Sequence, residues 1–173
     1  MASGVKVHDC VKDLFQKMKV RTGDTCEEDR LRFVTFLIDE AKGEIVPDLK
    51  ILQKDLCGVD DHFKHFKNQL DDKQCRYVLY DCHYETTETV KEDLVFLMWA
   101  ADCAGVRQKM SYASSKVALS KCFDGVKVNK NINDSAEIER GSFTELLECA
   151  TGKVIISLEG KPTGQGCSQQ RVN

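Results

Sequence analysis

The longest pattern of extended structure in the chain constrains its fold more than any other feature. Residues 75–100 read CRYVLYDCHYETTETVKEDLVFLMWA, in which β-branched and aromatic residues flank the polar stretch TTET at 86–89. The segment is too long for one strand, and it contains no proline. It therefore predicts two long antiparallel strands joined by a polar turn, which form the central hairpin of a sheet.

Two further elements are predicted ahead of this hairpin. Within residues 3–19, apolar residues recur every three or four positions, which predicts an amphipathic helix with Val7, Val11, Leu14 and Met18 on one face. Residues 32–39 are rich in β-branched and aromatic residues, and residues 40–46 supply a glycine turn and a second apolar run. They predict another hairpin, and Pro47 places its second strand near an edge of the sheet.

Helix signals also stand on either side of the central hairpin. In residues 59–70, Phe63, Phe66 and Leu70 share one helical face behind Asp60 or Asp61 as the N-cap. Towards the C-terminus, Ser142 and Glu145 have the spacing of a capping box, and Gly152 has the position of a C-cap. A buried strand is predicted next, at residues 154–158.

The order of these elements indicates the fold class. With the long helix described below, the chain runs helix, two strands, helix, two strands, long helix, short helix, strand. Hairpins with helices between them favour an α+β fold whose sheet is covered by helices on both faces. The 173 residues, 42% of them apolar, fit a single domain.

Charge and composition exclude several classes of function. The formal net charge is −3 and the pI about 5.8, so no global basic field attracts nucleic acid or anionic membrane. No apolar run has the length of a signal peptide or of a membrane span, and we expect a soluble, cytoplasmic protein. The nine cysteines are an odd number without a repeating spacing, which favours reduced thiols over disulfides.

Catalytic and metal-binding patterns are weak. Cys57, His62, His65 and Cys75 are close in sequence, but their spacing matches no zinc motif, and solvated histidines on a helix are the favoured interpretation. No histidine lies in a familiar nucleophile motif, and no glycine-rich phosphate loop is present. We therefore expect a binding protein without catalytic residues, metal or cofactor; a thiol- or zinc-dependent enzyme is the less favoured alternative.

Residues 105–123 are the best candidate for a binding surface. This segment holds four basic residues and no acidic one in an acidic chain. Its helical pattern has two apolar stripes instead of one. Either one stripe faces the sheet and the other a partner, or both are buried within the protein. The first stripe comprises Val106, Met110, Ala113 and Val117, and the second comprises Tyr112, Leu119, Cys122 and Phe123.

Six separated motifs make the chain resemble a known family. They are MASGVKV at 1–7, MKVR at 18–21, CRYVLYD at 75–81, KEDLVFLMWA at 91–100, KMSYASSK at 109–116 and ISLEGKP at 156–162. In this order and spacing they strongly resemble the vertebrate cofilin/destrin family of actin-depolymerising factors. The resemblance implies one ADF-homology domain over 1–162, with a central mixed, mostly antiparallel sheet covered by helices on both faces. Residues 163–173 are expected to form a polar, disordered tail.

The family resemblance also implies a function and its residues. It implies a protein of the actin cytoskeleton that binds ADP-actin monomers and filaments and promotes severing and depolymerisation, without a cofactor. Phosphorylation at Ser3 by a LIM-type kinase, reversed by a phosphatase, would inhibit it. Lys91 and Asp93 would contact the filament. The monomer cleft would be contacted by Ser3, Gly4, Val5, Arg107, Lys109, Met110, Ser114, Ser115 and Lys116.

Departures from the family pattern modify these expectations. The long helix ends in SKCFDGVKV at 120–128, which keeps only Lys121 and Lys127 of the region's lysines, so phosphoinositide inhibition and the histidine-based pH response should be weaker. The tip of the central hairpin keeps only Lys91, which predicts weaker filament binding relative to monomer binding. RLRF at 30–33 lacks a lysine-rich nuclear signal, and Gly105 replaces a proline at the helix start. A non-severing module of the coactosin or twinfilin type is the alternative.

Overall fold

The computed structural model of the protein describes residues 4–19 and 26–162. Its helices are α1 (Asp9–Lys19), α2 (His62–Lys67), α3 (Val106–Cys122) and α4 (Arg140–Thr151). Its strands are β1 (Lys6–Val7), β2 (Leu31–Asp39), β3 (Glu44–Leu52), β4 (Arg76–Thr86), β5 (Val90–Trp99), β6 (Val128–Ile132), β7 (Ile155–Leu158) and β8 (Lys161–Pro162). Short 3₁₀ turns span Glu27–Asp29, Gln53–Leu56 and Ser135–Ile138.

One mixed sheet contains all eight strands. Its main path runs β1-β3-β2-β4-β5-β6, with β1 parallel to β3, β6 parallel to β5 and the other neighbours antiparallel. Strand β7 pairs with β4 at Tyr84–Thr86, beyond the stretch of β4 that pairs with β2. Strand β8 pairs with β7. The predicted α+β class and the mixed, mostly antiparallel sheet are confirmed.

The central hairpin forms as its sequence predicts. Strands β4 and β5 pair continuously from Arg76 opposite Trp99 to Glu85 opposite Val90. Across the tip, the Thr86 N–H donates to the Thr89 carbonyl at 2.8 Å, and the Thr86 hydroxyl accepts from the N–H of Thr89 at 3.1 Å. The threonines thus close the turn locally, with side-chain hydrogen bonds of the kind that favour turns.

Aromatic side chains build a core on each face of the sheet. On one face, Phe123 at the end of α3 stacks on Phe15 of α1, 4.9 Å between ring centroids, and meets Phe96 of β5 at 5.1 Å. On the other, Phe66 of α2 lies 5.1 Å from Phe33 and 5.0 Å from Tyr80. Because alternate residues of a strand point to opposite faces, the aromatic residues of β2 and β4 supply both cores. The prediction of helices on both faces is confirmed.

Several local predictions are wrong or incomplete. Val7 lies in β1 instead of α1, because the helix begins only at Asp9. Helix α4 begins at Arg140, so Ser142 is inside it and the N-cap is Glu139. The last long strand begins at Ile155, whereas Val154 precedes it and is 49% exposed. Strands β1, β6 and β8 were not predicted.

Candidate functional site

Helix α3 presents an apolar face to solvent. Val106 is 73% exposed, Met110 67% and Val117 60%, and Ala113 between them is also exposed. We call these four residues the outer face of α3. They recur at intervals of three and four residues, so they form one stripe that is about 16 Å long at 1.5 Å per residue. Three large apolar side chains exposed in one row are typical of an interaction surface.

The opposite face of α3 attaches the helix to the sheet. Tyr112 and Leu119 are buried there. The Tyr112 hydroxyl accepts a hydrogen bond from the Ile38 N–H at 3.1 Å, and its carbonyl accepts one from the Tyr77 hydroxyl. The two apolar stripes of the sequence therefore separate into one buried and one exposed stripe, so the alternative in which both are buried within the protein is wrong.

The cations of α3 have different surroundings. Arg107 is exposed and has no hydrogen bond or ion pair with any residue of 4–19 or 26–162. The Lys109 ammonium donates to the Asp102 carbonyl at 3.0 Å. That of Lys116 donates to Asn131 of β6 and lies 5.7 Å from the ring centroid of Phe96. Burial lowers the pKa of Lys116.

Electrostatics around the outer face follow from these positions. At 100° per residue, Lys109 and Lys116 lie about 100–120° around the helix from Met110, whereas Arg107 lies about 60° away. Arg107 is therefore a charge beside the outer face that no residue of the described ranges pairs with. The two lysines lie on the other flank of the outer face, and both already donate hydrogen bonds within the protein.

Ser114 and Ser115 lie on different sides of α3, although both are predicted contact residues. Ser114 is exposed, and its hydroxyl donates to the Ser111 carbonyl at 3.0 Å. Ser115 is 1% exposed and hydrogen-bonds the Tyr77 side chain on the sheet. Ser114 is therefore accessible from solvent, whereas burial of Ser115 excludes the direct contact predicted for it.

The described N-terminal residues approach α3. Strand β1 contacts the helix, and the Lys6 N–H donates to the Gly43 carbonyl at 2.9 Å. Gly4 has a φ of 79°, in the left-handed region that favours glycine, and Val5 is half-buried against the core. The predicted residues Gly4 and Val5 thus lead directly into β1, the strand that contacts α3. Ser3 lies outside the described residues.

The two predicted filament residues lie on β5, away from α3. Lys91 pairs in register with Tyr84 and Asp93 with Cys82, so both point to the same face of the hairpin. The Tyr84 hydroxyl donates to the Asp93 carboxylate. Burial, followed by this hydrogen bond, raises the pKa of Tyr84. Both predicted residues are half-buried.

Near the tip of the same hairpin lie exposed apolar residues that were not predicted to be functional. Val90 is 68% exposed, and Ile156, in the strand that pairs with β4, is 42% exposed. A salt bridge of 3.7 Å joins Lys153 to Glu88 of the tip. The sequence pattern placed residues 154–158 in a buried strand because they are all apolar apart from Ser157. In the structure this strand pairs with one edge of β4, and its apolar residue Ile156 is exposed to solvent.

The two predicted phosphoinositide lysines flank the turn between α3 and β6. Lys121, in the last turn of the helix, and Lys127, just before the strand, are both exposed. Lys127 is held through its backbone, whose N–H donates to the Leu94 carbonyl at 2.8 Å. Their side chains therefore extend from a backbone that is fixed at both ends of the turn.

Metal binding and membrane insertion find no support in the part of the chain that the structure describes. Within 4–19 and 26–162, no group of three or more histidine, cysteine, aspartate or glutamate side chains could hold a metal ion. No helix in the same ranges combines the length and the apolar character needed to cross a bilayer.

Comparison with known proteins gives one consistent result. The model of the family described as cofilin/tropomyosin-type actin-binding protein matches residues 4–148. Among solved structures, the chain is similar to a Streptomyces griseoflavus cofilin, with a TM-score of 0.69 and 27% identity over 87% of this chain and 99% of the other. It is also similar to Plasmodium berghei actin depolymerization factor 2, with a TM-score of 0.71 and 26% identity over 86% and 99%.

A third similarity concerns the fold alone. The human coactosin-like protein superimposes with a TM-score of 0.66 at 14% identity, over 84% of this chain and 98% of the other. The sheet and its helices are thus shared by relatives whose sequences differ widely.

Proposed function

Because the chain belongs to the cofilin/tropomyosin-type family of actin-binding proteins, we propose that it binds ADP-actin monomers and filaments and promotes filament severing and depolymerisation. The observation that carries this proposal is the outer face of α3. It is an exposed apolar stripe on a helix without acidic residues, and β1 contacts the same helix.

The monomer cleft is proposed to receive this face. Val106, Met110 and Val117 would transfer apolar surface from water into the cleft, which is worth about 3–6 kcal/mol for the three partly exposed side chains together. A micromolar complex has a binding free energy of about −8 kcal/mol. Arg107, which is uncompensated within the described residues, would favour an acidic rim on actin. Gly4, Val5, Lys109, Ser114 and Lys116 complete the proposed surface, and Ser115 supports it from beneath.

The central hairpin is proposed as the second, filament-contacting surface. Lys91 and Asp93 lie there, with the exposed Val90 beside them. Binding at two surfaces to adjacent subunits would shift the filament towards a changed twist. The protein can shift that equilibrium only by its difference in affinity for the two filament states. Severing is then a mechanical consequence of binding and needs no catalytic residue.

Phosphorylation of Ser3 is proposed as the inhibitory switch, with a LIM-type kinase and a phosphatase as partners. Ser3 precedes Gly4 and Val5, which lead into β1, the strand that contacts α3. A phosphate carries a charge of about −1.5 to −2 and would oppose an acidic partner at this interface. A Ser3→Glu variant should bind ADP-actin monomers more weakly than Ser3→Ala, as measured by titration of fluorescently labelled actin. Equal affinities for the two variants would contradict the switch.

Phosphoinositide binding is proposed to be weak, because Lys121 and Lys127 are the only basic residues of the segment 120–128, and the acidic Asp124 lies between them. We also propose that residues 1–162 form one ADF-homology domain and that residues 163–173 form a tail. The proposed location is the cytoplasmic actin cytoskeleton. Nuclear import through residues 30–33 is not expected.

A charge placed on the outer face of α3 tests the monomer site. Met110→Asp should weaken binding to ADP-actin monomers by at least about ten-fold, because it removes apolar burial and adds a charge of the same sign as the acidic rim. It should slow depolymerisation of pyrene-labelled filaments in parallel. Met110 is largely exposed, so the fold should be unaffected.

The matched control is Val154→Asp, which puts the same charge at an exposed apolar position outside α3. Its affinity for monomers should stay within about two-fold of the wild type. Equal losses in the two variants would argue against a site on the outer face of α3.

A binding module that does not sever is the second candidate, and it is favoured because Lys91 is the only lysine in the sequence of the hairpin tip, residues 86–93. Cosedimentation with filaments and binding to ADP-actin monomers on native gels separate the two activities. Monomer binding without a rise in filament ends under time-resolved microscopy would identify the non-severing type.

A further inference from the structure

A histidine and a cysteine meet where β1 leads into α1. The backbone of His8 is held on both sides, since its N–H donates to the Ile45 carbonyl at 3.1 Å and its carbonyl accepts from the Val11 N–H at 3.0 Å. From this fixed position, its Nδ1 lies 2.9 Å from the Sγ of Cys10. The imidazole is exposed and Cys10 is half-buried, so a small reagent in solvent can reach the pair.

The hydrogen bonds assign the tautomer of His8. The backbone N–H of Cys10 donates to the same Nδ1 at 3.1 Å. This nitrogen is therefore the acceptor, with the ring proton on Nε2, and the thiol of Cys10 is the donor in the 2.9 Å contact. A nucleophile and a base within hydrogen-bonding distance form the basic arrangement of an activated thiol.

The start of α1 also places positive backbone charge beside Cys10. Cys10 is the second residue of α1, an 11-residue helix whose first-turn N–H groups form its positive end. Asp9 is the nearest acidic neighbour in sequence; its side chain is 94% exposed and lies 4.0 Å from the Lys12 ammonium, which offsets its charge.

The other cysteines of the described residues lack this arrangement. Cys57, Cys103 and Cys149 are exposed, but none of them hydrogen-bonds a histidine within 4–19 and 26–162. Cys75 and Cys82 are buried, and burial raises the pKa of both thiols. The chain therefore contains its own reference thiols, both accessible and inaccessible.

We propose that Cys10, with His8 as its base, is a modification site for low-molecular-weight disulfides such as oxidised glutathione. The thiol proton moves to Nδ1 of His8, and the thiolate attacks one sulfur of the reagent. The reagent's S–S bond breaks as the mixed disulfide forms, and the leaving thiolate takes a proton to become a free thiol. Cys10 is oxidised by the reagent itself, and excess thiol reverses the reaction. The site lies outside α3, and the proposal does not rest on the proposed actin binding.

The test is a time course of the reduced full-length chain with oxidised glutathione at pH 7, with each cysteine quantified by peptide mass spectrometry. Cys10 should be modified about ten-fold faster than Cys103 and Cys149. Cys75 and Cys82 should stay unmodified, which reports that the protein is folded throughout. A rate at Cys10 no higher than at Cys103 would overturn the proposal, whatever the behaviour of any variant.

The His8→Asn variant isolates the base. Asparagine can still accept a hydrogen bond from the Cys10 N–H, but it cannot take up the thiol proton. It should lower the rate at Cys10 to that of Cys103 and leave the rate at Cys103 unchanged. The pH profile of Cys10 modification should move to higher pH, a change that a purely structural role of His8 does not produce. An unchanged rate and profile at Cys10 would contradict the assignment.

Discussion

At the scale of single residues, the fold contains a buried ion pair between Arg32 and Glu159. Their side chains are 1% and 2% exposed, and the Nη2 of Arg32 lies 2.6 Å from both carboxylate oxygens. Glu159 also accepts from the Tyr80 hydroxyl and from the His83 N–H at 3.2 Å. These partners hold Glu159 at a φ of 52°, where few residues with a side chain are found.

The ion pair predicts a large loss of stability when one charge is removed. Glu159→Gln keeps the shape but leaves the Arg32 guanidinium buried without a counter-charge, and it should lower the free energy of unfolding by about 3–5 kcal/mol. Urea unfolding followed by circular dichroism measures the change. The control Glu145→Gln, on the exposed face of α4, should change stability by less than about 0.5 kcal/mol. Similar small values for both variants would show that the pair contributes little.

At the scale of the element, the start of α3 departs from ideal helix chemistry. Gly105 is the N-cap and has no side chain with which to accept the first free N–H groups. Its φ is −63° and its ψ 144°, close to the φ that proline imposes. A Cβ added to Gly105 would meet no atom within 4 Å.

Proline at this position should therefore stabilise the protein. Gly105→Pro restricts the unfolded chain at a φ that the folded state already uses, which is worth about 0.4–1 kcal/mol. The melting temperature should rise by about 1–4 °C in differential scanning calorimetry. Gly152→Pro is the opposite case, because Gly152 has a φ of 70° that proline cannot adopt, and it should melt lower than the wild type. A fall in both variants would show that Ala104, before the new proline, cannot adapt.

At the scale of the whole molecule, β4 organises the sheet. It pairs with β5 along one edge from Arg76 to Glu85, and with β2 and then β7 along the other. Strands β1 and β8 contain two residues each and pair at the periphery. Interior strands paired at both edges open last, and short peripheral strands open first.

Hydrogen exchange should reproduce this order. Amides of Tyr77–Tyr80 should be the most protected in the chain, and those of Lys6 and Val7 should exchange at least about a hundred-fold faster, because local opening of β1 leaves the rest of the sheet intact. Exchange followed by mass spectrometry with peptide resolution measures both segments. Equal protection of the two would mean that the sheet opens only as a single unit.

The sequence predictions are confirmed where the interacting residues are close in sequence, and they fail where those residues are far apart in sequence. The central hairpin, α2 with its Asp61 cap, and the left-handed Gly152 at the end of α4 rest on neighbours in sequence, and all are confirmed. Strands β1 and β6 could not be predicted in this way, because they are short and each pairs with a strand distant in sequence. The same applies to Ser115, whose burial depends on Tyr77, 38 residues earlier in the chain.

The sequence by itself determined the α+β class, the family, and a helix with two apolar stripes and a basic charge, because periodicity and motif spacing are properties of the chain alone. Only the tertiary structure decided which stripe faces solvent. Tyr112 is hydrogen-bonded to Tyr77 and Ile38 of the sheet, so its stripe faces inward and Met110 faces solvent. Packing also decided that Lys116 donates a hydrogen bond to Asn131 while Arg107 pairs with none of the described residues, since such pairing depends on distances that no local pattern contains.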